Sequence, residues 1–485
     1  MIPEDQSLSA FHVSRDSSLL IEYRRTEMAE MEKYTDKLIK VLRVRLKDAP
    51  GYFGRLADAI GGEGANLGDI TRVRVTSHYV ARDVVVYIEN DGQLERIVRA
   101  IGELQGIKLV EIIDEVLRIH EGGKVAMRST VELRSVSDLA KIYTPGVAQV
   151  CRRIAADRTS AASYTGIANT VAIVTNGTAI LGLGDIGPVA GMPVMEGKAV
   201  IMEQMADISP VPILLDSKDP DEIVRVVSRI APTFGVIQLE DIAAPICFEV
   251  ERRLDEMLDI PVFHDDQHGT AVVALGALIT ALKRVGKVPE AVKVVISGAG
   301  AAGMAIARML LHFGVSELIL CDREGAIYPG RSEGMNRFKE EIADRTNPER
   351  RRGTLAEMMA GADVFIGVSA PNLVSTDMVR RMAKKAIVFA MANPVPEIRP
   401  DEALNAGAAI ASDGRSLNNA LAFPGILRGA LDARVACITD AMKMAASASI
   451  AEQTRKDEIV PDFMHREFHR KLAEAVREAA VTQNE

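Results

Sequence analysis

The chain has 485 residues, of which 48% are hydrophobic and 26% are charged, and its formal net charge is -9. Its length accommodates about three domains, and its composition is typical of a soluble globular protein. The negative charge argues against a general nucleic-acid binder, and the four cysteines, which show no CxxC spacing, favour reduced thiols over a disulfide framework.

Membrane insertion and secretion are not expected. The longest apolar run, residues 271–282, is too short to cross a bilayer, and residues 1–36 are too polar for a signal peptide. We therefore expect a cytoplasmic protein without a membrane or nucleic-acid partner.

The first predicted domain follows an N-terminal extension, residues 1–37, in which only Leu19 to Tyr34 has the spacing of an amphipathic helix. Alternating residues from Leu38 predict a strand that ends before Asp48. The pattern then predicts a helix with Phe53, Leu56 and Ile60 on its apolar face, strands at 70–76 and 83–88, a helix at 93–104 and a strand at 110–117. This βαββαβ order predicts a ferredoxin-like unit.

Residues 38–119 resemble an ACT domain, a small-metabolite regulatory module. The resemblance rests on that element order, on the Asp-x-Pro-Gly sequence from Asp48 to Gly51, and on the Gly-x-Asn-Leu sequence around Asn66. It implies an effector site at Asp48, Gly51 and Asn66, and pairing of such domains in a homodimer or higher homo-oligomer. A dimerisation domain without a ligand is the alternative.

The next landmark is Tyr143, which lies just ahead of Pro145 and Gly146 at the start of a predicted helix. Its hydroxyl could serve chemistry or simply bond to backbone. Further on, Asn176-Gly177 predicts a hairpin between strands at 171–175 and 178–181. The GxGxxG sequence at 182–187 follows without a strand-turn-helix context, so we do not assign it to a dinucleotide. Lys198, predicted to open a helix at 199–206, is either a surface lysine or a positioned amine.

Two pairs of acids follow predicted strands. Glu240-Asp241 comes after an apolar run at 234–239, and Asp265-Asp266 comes after a shorter one at 260–263. Acids at strand ends in an α/β protein lie where such proteins place chemistry. Four clustered carboxylates repel one another, and a divalent cation relieves that repulsion; oxygen ligands favour Mg or Mn. Alternatively, one pair caps a helix and the other lies in a solvated turn.

A second GxGxxG sequence has the context that the first lacks. A buried strand at 292–297 precedes it, an apolar helix follows from Met304, and the next strand ends in Asp322, 24 residues beyond Gly298. This order predicts that backbone amides bind the pyrophosphate of NAD and that Asp322 bonds to its adenosine ribose, although Asp322 could be only a turn residue. The predicted cofactor-binding residues are Gly298, Gly300, Ala301, Ala302, Gly303, Asp322 and Asn393. Further apolar strands at 362–368 and 386–393 complete a doubly wound sheet.

From about residue 127 the chain resembles a malic enzyme of the shorter bacterial type. The resemblance rests on six motifs in order, which begin at Tyr143, Ile180, Gly191, Leu239, Phe263 and Asn418. It implies that the metal ligands are Glu240, Asp241 and Asp266. It also implies that Lys198 is the base on the malate hydroxyl, that Asp265 orients Lys198, and that Tyr143 is the acid that protonates the enol.

The same resemblance implies that Asn393, Asn418 and Asn419 hold the substrate near the nicotinamide. The larger eukaryotic-type enzymes carry an Arg for a malate carboxylate where this chain has Ala179, which leaves open how that carboxylate is held here.

The predicted function is oxidative decarboxylation of L-malate to pyruvate and carbon dioxide, with NAD as oxidant and Mg or Mn as the metal. NADP is the other possible cofactor, since Arg323 beside Asp322 could receive a 2′-phosphate. The predicted α/β architecture has an N-terminal catalytic domain at 120–281 and a Rossmann-like NAD-binding domain at 282–485. The alternatives are a metal-independent amino-acid or hydroxy-acid dehydrogenase with an ACT domain, and a degenerate enzyme that senses a metabolite.

Overall fold

The computed structural model describes residues 37–180 and 182–482. The chain divides into two compact units, Met1–Lys124 and Val125–Glu485. Apart from Lys37, the predicted extension at 1–37 lies outside the described residues, as does the helix predicted from Leu19 to Tyr34.

The N-terminal unit has the element order β-α-β-β-α-β followed by a short helix. Its elements are β1 (Leu38–Lys47), α1 (Tyr52–Gly62), β2 (Asn66–Val75), β3 (Tyr79–Ile88), α2 (Asp91–Gly102), β4 (Ile107–Ile113) and α3 (Glu115–His120). The strands form an antiparallel sheet in the order β2-β3-β1-β4. Leu42, Val44 and Leu46 of β1 share one face and pack with Leu56 and Ile60 of α1, because alternate residues of a strand point to the same side.

The last strand of this unit is shorter than predicted. The strand expected to reach Leu117 ends at Ile113, and helix α3 begins after Asp114. The Asp114 side chain accepts a hydrogen bond from the Leu117 N–H at 3.0 Å. This N-cap satisfies a free helix donor, which favours the helix despite the apolar residues at 116–119.

The second unit opens with a segment, residues 125–169, in which no residue is fully buried. Its helices are α4 (Val136–Ile142), α5 (Val147–Ala156) and α6 (Ala161–Tyr164). Met127 is 95% exposed and Val136 is 82% exposed. The apolar side chains of this segment therefore add little to the core of the unit.

A four-stranded parallel sheet follows, in the order β6-β5-β7-β8. Its elements are β5 (Thr170–Thr175), α7 (Pro188–Ala206), β6 (Ser209–Leu214), α8 (Pro220–Ile230), β7 (Val236–Leu239), α9 (Ile246–Met257), β8 (Val262–His264) and α10 (Asp265–Val285). Strand β7 lies between β5 and β8, so the carboxyl ends of all three meet at one edge.

Helix α10 is longer than the apolar run from which we argued against a membrane span. By length and composition alone this 21-residue helix could cross a bilayer. However, 72% of its apolar window is buried inside the protein. Residues such as Val272 and Leu275 are fully buried in the largest core cluster, which also includes Val171 of the first sheet and Val294 of the second. The helix is therefore placed as a core helix between the two sheets.

The second sheet of this unit has six strands in the order β11-β10-β9-β12-β13-β14. The elements are β9 (Lys293–Ser297), α11 (Ala301–Phe313), β10 (Glu317–Asp322), β11 (Gly325–Ala326), α12 (Arg337–Ala343), α13 (Leu355–Met359), β12 (Val364–Gly367), α14 (Thr376–Arg380), β13 (Ile387–Ala390), α15 (Pro400–Asn405), β14 (Ile410–Asp413), α16 (Phe423–Ala433), α17 (Asp440–Gln453) and α18 (Arg466–Thr482). All pairs are parallel except β10 with β11.

Strands β10 and β12 lie on opposite sides of β9, so the order in which strands are added to the sheet reverses at β9. In such sheets the ligand crevice lies outside the carboxyl ends of the strands at this switch point. The predicted doubly wound, Rossmann-like sheet is confirmed, and its crevice lies beside the loop that follows β9.

Candidate active site

Three carboxylates meet at the carboxyl ends of β7 and β8. Glu240 and Asp241 follow β7, and Asp266 lies in the first turn of α10, directly after β8. Each residue can offer one oxygen so that all three oxygens lie within 4.8 Å of one another. The parallel pairing of Leu239 with His264 places the two acidic pairs side by side.

The chemistry of this cluster fits a divalent cation. Asp241 Oδ2 is buried and has no hydrogen-bond partner among the described residues. Burial, the Asp266 charge and the nearby Asp265 charge raise the pKa of Asp241 to about 7, and burial raises the pKa of Glu240 well above its usual range. Unpaired oxygens and raised carboxyl pKa values are what a cation would relieve, and hard oxygen donors suit Mg or Mn.

Lys198 lies next to this cluster. Its side chain is 10% exposed, and Nζ donates a short hydrogen bond to Asp265 Oδ2 and lies 3.1 Å from Glu240 Oε1. Nζ also lies 4.5 Å from the centre of the Phe423 ring. Although burial lowers the pKa of Lys198, the charges of Asp265 and Glu240 outweigh it and raise the pKa. The structure thus brings Lys198 and Asp265 together.

The helix that carries Lys198 begins earlier than predicted. We expected it to start at Ala199, but α7 begins at Pro188 and contains Pro193. Proline at the first helical position needs no N–H partner, which suits Pro188. Gly191, Pro193 and Gly197 all have low helix propensity, so tertiary packing, with Met195 fully buried, overrides the local preference.

Gly269 allows Asp265 to reach Lys198. A β-carbon built on Gly269 would overlap Asp265 Oδ1, and it would lie 3.3 Å from the β-carbon of Asn419. The glycine in the Gln267-His268-Gly269-Thr270 sequence therefore makes room for a buried carboxylate. The same contact places Asn419 beside Gly269, which lies one helical turn after Asp265.

A second group of polar residues supports the start of α10, and the sequence did not reveal it. Glu251 of α9 accepts hydrogen bonds from the His264 N–H at 2.9 Å, from Gln267 Nε2 at 2.7 Å and from His268 Nε2 at 2.9 Å. Burial raises the pKa of Glu251, but His268 and His264 outweigh it and lower the pKa to about 2. Glu251 is thus held as a carboxylate that fixes the turn beside Asp266, whose Oδ2 lies 3.1 Å from His264 Nε2.

The hairpin predicted at Asn176-Gly177, just before the first glycine-rich sequence, does not form. Gly177 is in a turn, and the expected second strand at 178–181 is replaced by a single bridge between Ile180 and Gly184. Thr178 Oγ1 instead accepts a hydrogen bond from Ala243 N at 2.9 Å, and Ala179 N donates to Asp241 O at 3.0 Å. These bonds draw the loop toward the acidic cluster.

The second glycine-rich sequence forms the turn between β9 and α11. Gly298 has φ +114°, a backbone conformation that favours glycine, and a β-carbon on Gly303 would overlap Gly298 O. A cavity of about 730 Å³ beside this turn is lined by Gly298, Gly300 and Asp322 among others. Ala301, Ala302 and Gly303 form the first turn of α11 behind it.

Asp322 has more partners than the sequence suggested. Oδ1 accepts hydrogen bonds from Arg331 Nη1 at 2.7 Å and from Glu324 N at 3.0 Å, whereas Oδ2 accepts a short one from Arg331 Nη2 and one from Lys339 Nζ at 2.6 Å. Burial raises the pKa of Asp322, but these two cations outweigh it and lower the pKa. A carboxylate has about four acceptor sites, so a ribose hydroxyl would have to displace one of these donors.

Other predicted residues form no hydrogen bond with the acidic cluster within the described residues. Tyr143 is 66% exposed and has no side-chain hydrogen bond to Lys198 or the acids within the described chain. Asn393 is exposed, and a β-carbon built on Gly182 would lie 2.6 Å from its carbonyl oxygen. Asn418 is exposed and caps a short 3-10 turn by accepting a hydrogen bond from Ala420 N at 2.9 Å.

In the N-terminal unit, Asp48 lines a cavity of about 640 Å³ together with Arg45 and Lys47. Gly51 precedes α1 with φ +84°, and Asn66 is the first residue of β2. Neither of these two lines that cavity, so the three predicted effector residues do not share one cavity.

Two family models match the chain: "Malic enzyme, N-terminal domain" at residues 122–255 and "Malic enzyme, NAD binding domain" at residues 267–417 and 400–481. An NAD-dependent malic enzyme of Geobacillus stearothermophilus is 47% identical over 88% of this chain and 91% of its own length. NAD-dependent malic enzyme 1 of Bacillus subtilis is 45% identical over 92% and 98%. The crystal structure of an NAD-dependent malic enzyme from Thermotoga maritima superposes with TM-score 0.73 and 44% identity, over 74% of this chain and 98% of that one.

Proposed function

The chain belongs to the malic enzyme family, and on that premise we propose that it oxidises L-malate to pyruvate and carbon dioxide with NAD and a divalent metal ion. The observation that carries the proposal is the acidic cluster of Glu240, Asp241 and Asp266 with Lys198 beside it. Such a cluster suits a 2-hydroxy acid substrate, whose oxygens can share a Mg or Mn ion with the protein.

Glu240, Asp241 and Asp266 would hold the metal in this proposal, and a bound metal would supply Lewis-acid stabilisation of negative charge on the substrate oxygens. Lys198 would take the proton of the malate hydroxyl, the nicotinamide of bound NAD would supply the hydride acceptor, and Asp265 would orient Lys198. Lys198 is held as an ammonium by Asp265 and Glu240. Its partners raise its pKa, so a metal ion that neutralised Glu240 would make the proton of Lys198 easier to lose.

Tyr143 donates the proton that converts the enol to pyruvate, and we propose that it does so in the site of a second copy. Two features support this: Tyr143 is 66% exposed, and the segment around it exposes Met127, Val136 and Leu139. Exposed apolar residues in such number usually mark a protein interface. A homodimer or higher homo-oligomer that covers this segment follows from the proposal.

The cofactor is NAD rather than NADP, since the Asp322 carboxylate would repel a 2′-phosphate. Arg323 and Lys339, which line the same cavity, reduce that repulsion. We therefore expect turnover with NADP to be slower than with NAD but still measurable. Asn393, Asn418 and Asn419 hold substrate near the nicotinamide. The protein acts in the cytoplasm, without nucleic-acid or membrane partners.

The N-terminal unit is an ACT-like, ferredoxin-like regulatory domain in this proposal. Its βαββαβ order and its four-stranded antiparallel sheet support that assignment. A small-metabolite effector would bind near Asp48, Gly51 and Asn66, and it would shift activity only through different affinities for two states of the enzyme. A dimerisation domain without a ligand is the alternative.

The test of the proposed activity incubates the purified full chain with L-malate, Mn and NAD, and measures NADH and pyruvate together. We expect equal amounts of both products, and we expect a chelator to abolish them. Asp266→Asn removes one charged ligand and should abolish turnover while NAD binding persists. Asp259→Asn is a matched control, because Asp259 is exposed and lies outside the cluster. NADH without pyruvate, or activity that survives a chelator, would favour a metal-independent dehydrogenase instead.

A further inference from the structure

The catalytic unit has two adjoining cavities that the proposed reaction does not use. Their volumes are about 450 Å³ and about 120 Å³, and His268 of α10, Arg308 of α11 and Lys443 of α17 line both. Neither cavity is lined by Lys198, by the proposed metal ligands or by the glycines after β9.

The smaller cavity carries excess positive charge. Arg308, Arg345 and Lys443 line it, and Asp440 is its only carboxylate. Asp440 is 71% exposed and lies 3.2 Å from Lys443 Nζ, whereas the Lys443 side chain is only 12% exposed. The ammonium of Lys443 is therefore largely withdrawn from solvent, while Asp440 remains mostly in water and Asp255 of the larger cavity also attracts it.

Arg308 is the least compensated cation there. Its side chain is half-buried, yet it has no hydrogen bond or ion pair within the part of the chain that the structure describes. Arg331, by contrast, is 5% exposed and its guanidinium binds both oxygens of Asp322. A half-buried guanidinium with five donors and no acceptor is unfavourable unless a ligand or water satisfies it.

We propose that Arg308 and Lys443 form a binding site for a compact dianion that carries phosphate or carboxylate groups. The planar guanidinium of Arg308 can bind two oxygens of such a group, and the ammonium of Lys443 adds a second charge. The larger cavity shares both side chains and gives access from solvent; it is also lined by Glu251, Asp255 and Glu341, so the excess of positive charge belongs to the smaller cavity. This site lies in the catalytic unit and is distinct from the effector site proposed for the N-terminal unit.

The three helices that line the site are connected to the proposed active site. The first turn of α11 follows the dinucleotide loop, and the first turn of α10 carries Asp265 and Asp266. Helix α17 is tied to α10 by a hydrogen bond from Ser447 Oγ to Val272 O at 3.0 Å. An anion bound by both Arg308 and Lys443 would link α11 to α10 and α17. We therefore expect the anion to change the affinity for NAD, and NAD to change the affinity for the anion by the same factor.

Calorimetric titration of the full chain with inorganic phosphate, and separately with succinate, tests the site. Saturating NAD is present so that the dinucleotide loop is filled. We expect saturable binding of at least one probe, weakened roughly tenfold in Arg308→Gln and in Lys443→Gln, as for loss of one charge-assisted hydrogen bond. Arg477→Gln should bind as the wild type does, because Arg477 is an exposed arginine on α18, outside both cavities. Circular dichroism and thermal unfolding establish that each variant is folded.

The two probes separate the sources of the anion, since binding of phosphate alone, of succinate alone or of both identifies the chemistry that the site takes. The proposal fails if neither probe binds at roughly 10 mM, ten times a millimolar Kd, or if Arg308→Gln binds both as tightly as the wild type. It also fails if succinate binding survives in Arg308→Gln and is displaced by L-malate, because the probe then occupies the active site.

A second titration measures NAD affinity with and without the bound anion: a change in the wild type that disappears in Arg308→Gln supports the coupling, and no change in the wild type refutes it. None of these results depends on turnover, so they are distinguishable from failure of the proposed activity.

Discussion

Raising the pH of the metal-free protein from about 6 to about 8.5 should destabilise it, because Asp241 must then ionise inside the acidic cluster. Its pKa in the folded protein is about 7, against an ordinary value of 3.8. The folded state keeps this proton up to about pH 7, whereas the unfolded state releases it near pH 4. The stabilisation is therefore fully present at low pH and is lost as the pH rises through 7.

The size of the effect follows from the shift. One pKa unit corresponds to about 1.4 kcal/mol, so the shift of about three units corresponds to about 4 kcal/mol over the whole pH range. Only the last part, about 1.4 kcal/mol, is lost between about pH 6 and pH 8.5, since pH 6 lies one unit below the folded pKa. In a chain of this size that loss lowers Tm by about 1 to 2 °C.

Thermal unfolding in the presence of a chelator measures this slope, with Asp241→Asn as the comparison. The amide mimics the protonated acid, so the variant should lose the part of the pH dependence that comes from Asp241, whereas Glu240, whose pKa is also raised, keeps a slope of the same sign. Some slope of the same sign should remain from His264, because the contacts with Asp266 and Cys247 outweigh burial and raise its pKa. Adding Mn should raise Tm more at about pH 8.5 than at pH 6, since the metal binds ionised carboxylates. A metal-free Tm that does not change between these pH values, or an unchanged slope in Asp241→Asn, would refute the reasoning.

Three further predictions concern the proposed roles. Lys198→Ala should abolish malate oxidation, whereas Tyr143→Phe should impair enol protonation more than the hydride step. If Tyr143 acts in a partner's site, subunit exchange between the two variants should restore part of the activity. A mixture that is as inactive as its components counts against that role. Asp322→Asn should narrow the preference for NAD over NADP, measured as the ratio of kcat/KM values, because it removes the charge that repels a 2′-phosphate. Equal turnover of both cofactors by the wild type would contradict the proposed preference for NAD. Deletion of residues 1–124 should leave malate oxidation in place and remove any response to amino acids and central metabolites; if the full chain responds to none that the truncated form ignores, the regulatory reading is wrong.

The acidic cluster could be predicted because its cause is local. An apolar run long enough for a buried strand ends in an acidic pair at 240–241, and another ends at 265–266. Parallel strands of one sheet bring their carboxyl ends to the same edge, so contact between the two pairs follows once both strands are assigned. The turn after β9 was predictable for the same reason, since strand, glycines and helix are contiguous in the sequence.

The elements that we assigned wrongly depend on contacts that are remote in sequence. Helix α7 contains Gly191, Pro193 and Gly197, which argue against a helix locally, and only packing of residues such as Met195 makes it stable. The strand expected after Gly177 is missing because Thr178 and Ala179 bond to the loop after β7 instead. In both cases a tertiary partner outweighs the local pattern.

The partners that tune the site were equally hidden. Glu251 is one acid among several on an amphipathic helix, and nothing in its spacing indicates that it accepts three hydrogen bonds from the start of α10. Arg331 and Lys339 lie 9 and 17 residues beyond Asp322, in the irregular stretch before α12 and in α12 itself. Their effect on Asp322 follows from how that stretch folds back over β10, and sequence spacing does not contain this information.

Metal binding and the basicity of Lys198 are two aspects of one electrostatic balance. In the metal-free cluster Lys198 is the one ammonium beside four carboxylates, and it is bound to Asp265 and Glu240, so its proton is held tightly. A divalent cation on Glu240, Asp241 and Asp266 would take over the neutralisation of Glu240 and leave Lys198 with Asp265 as its main partner. The proton of Lys198 then becomes easier to lose at the moment when a substrate hydroxyl can be activated. In the proposed reaction the metal would therefore have two roles, since the ion that holds the substrate would also free the base that acts on it.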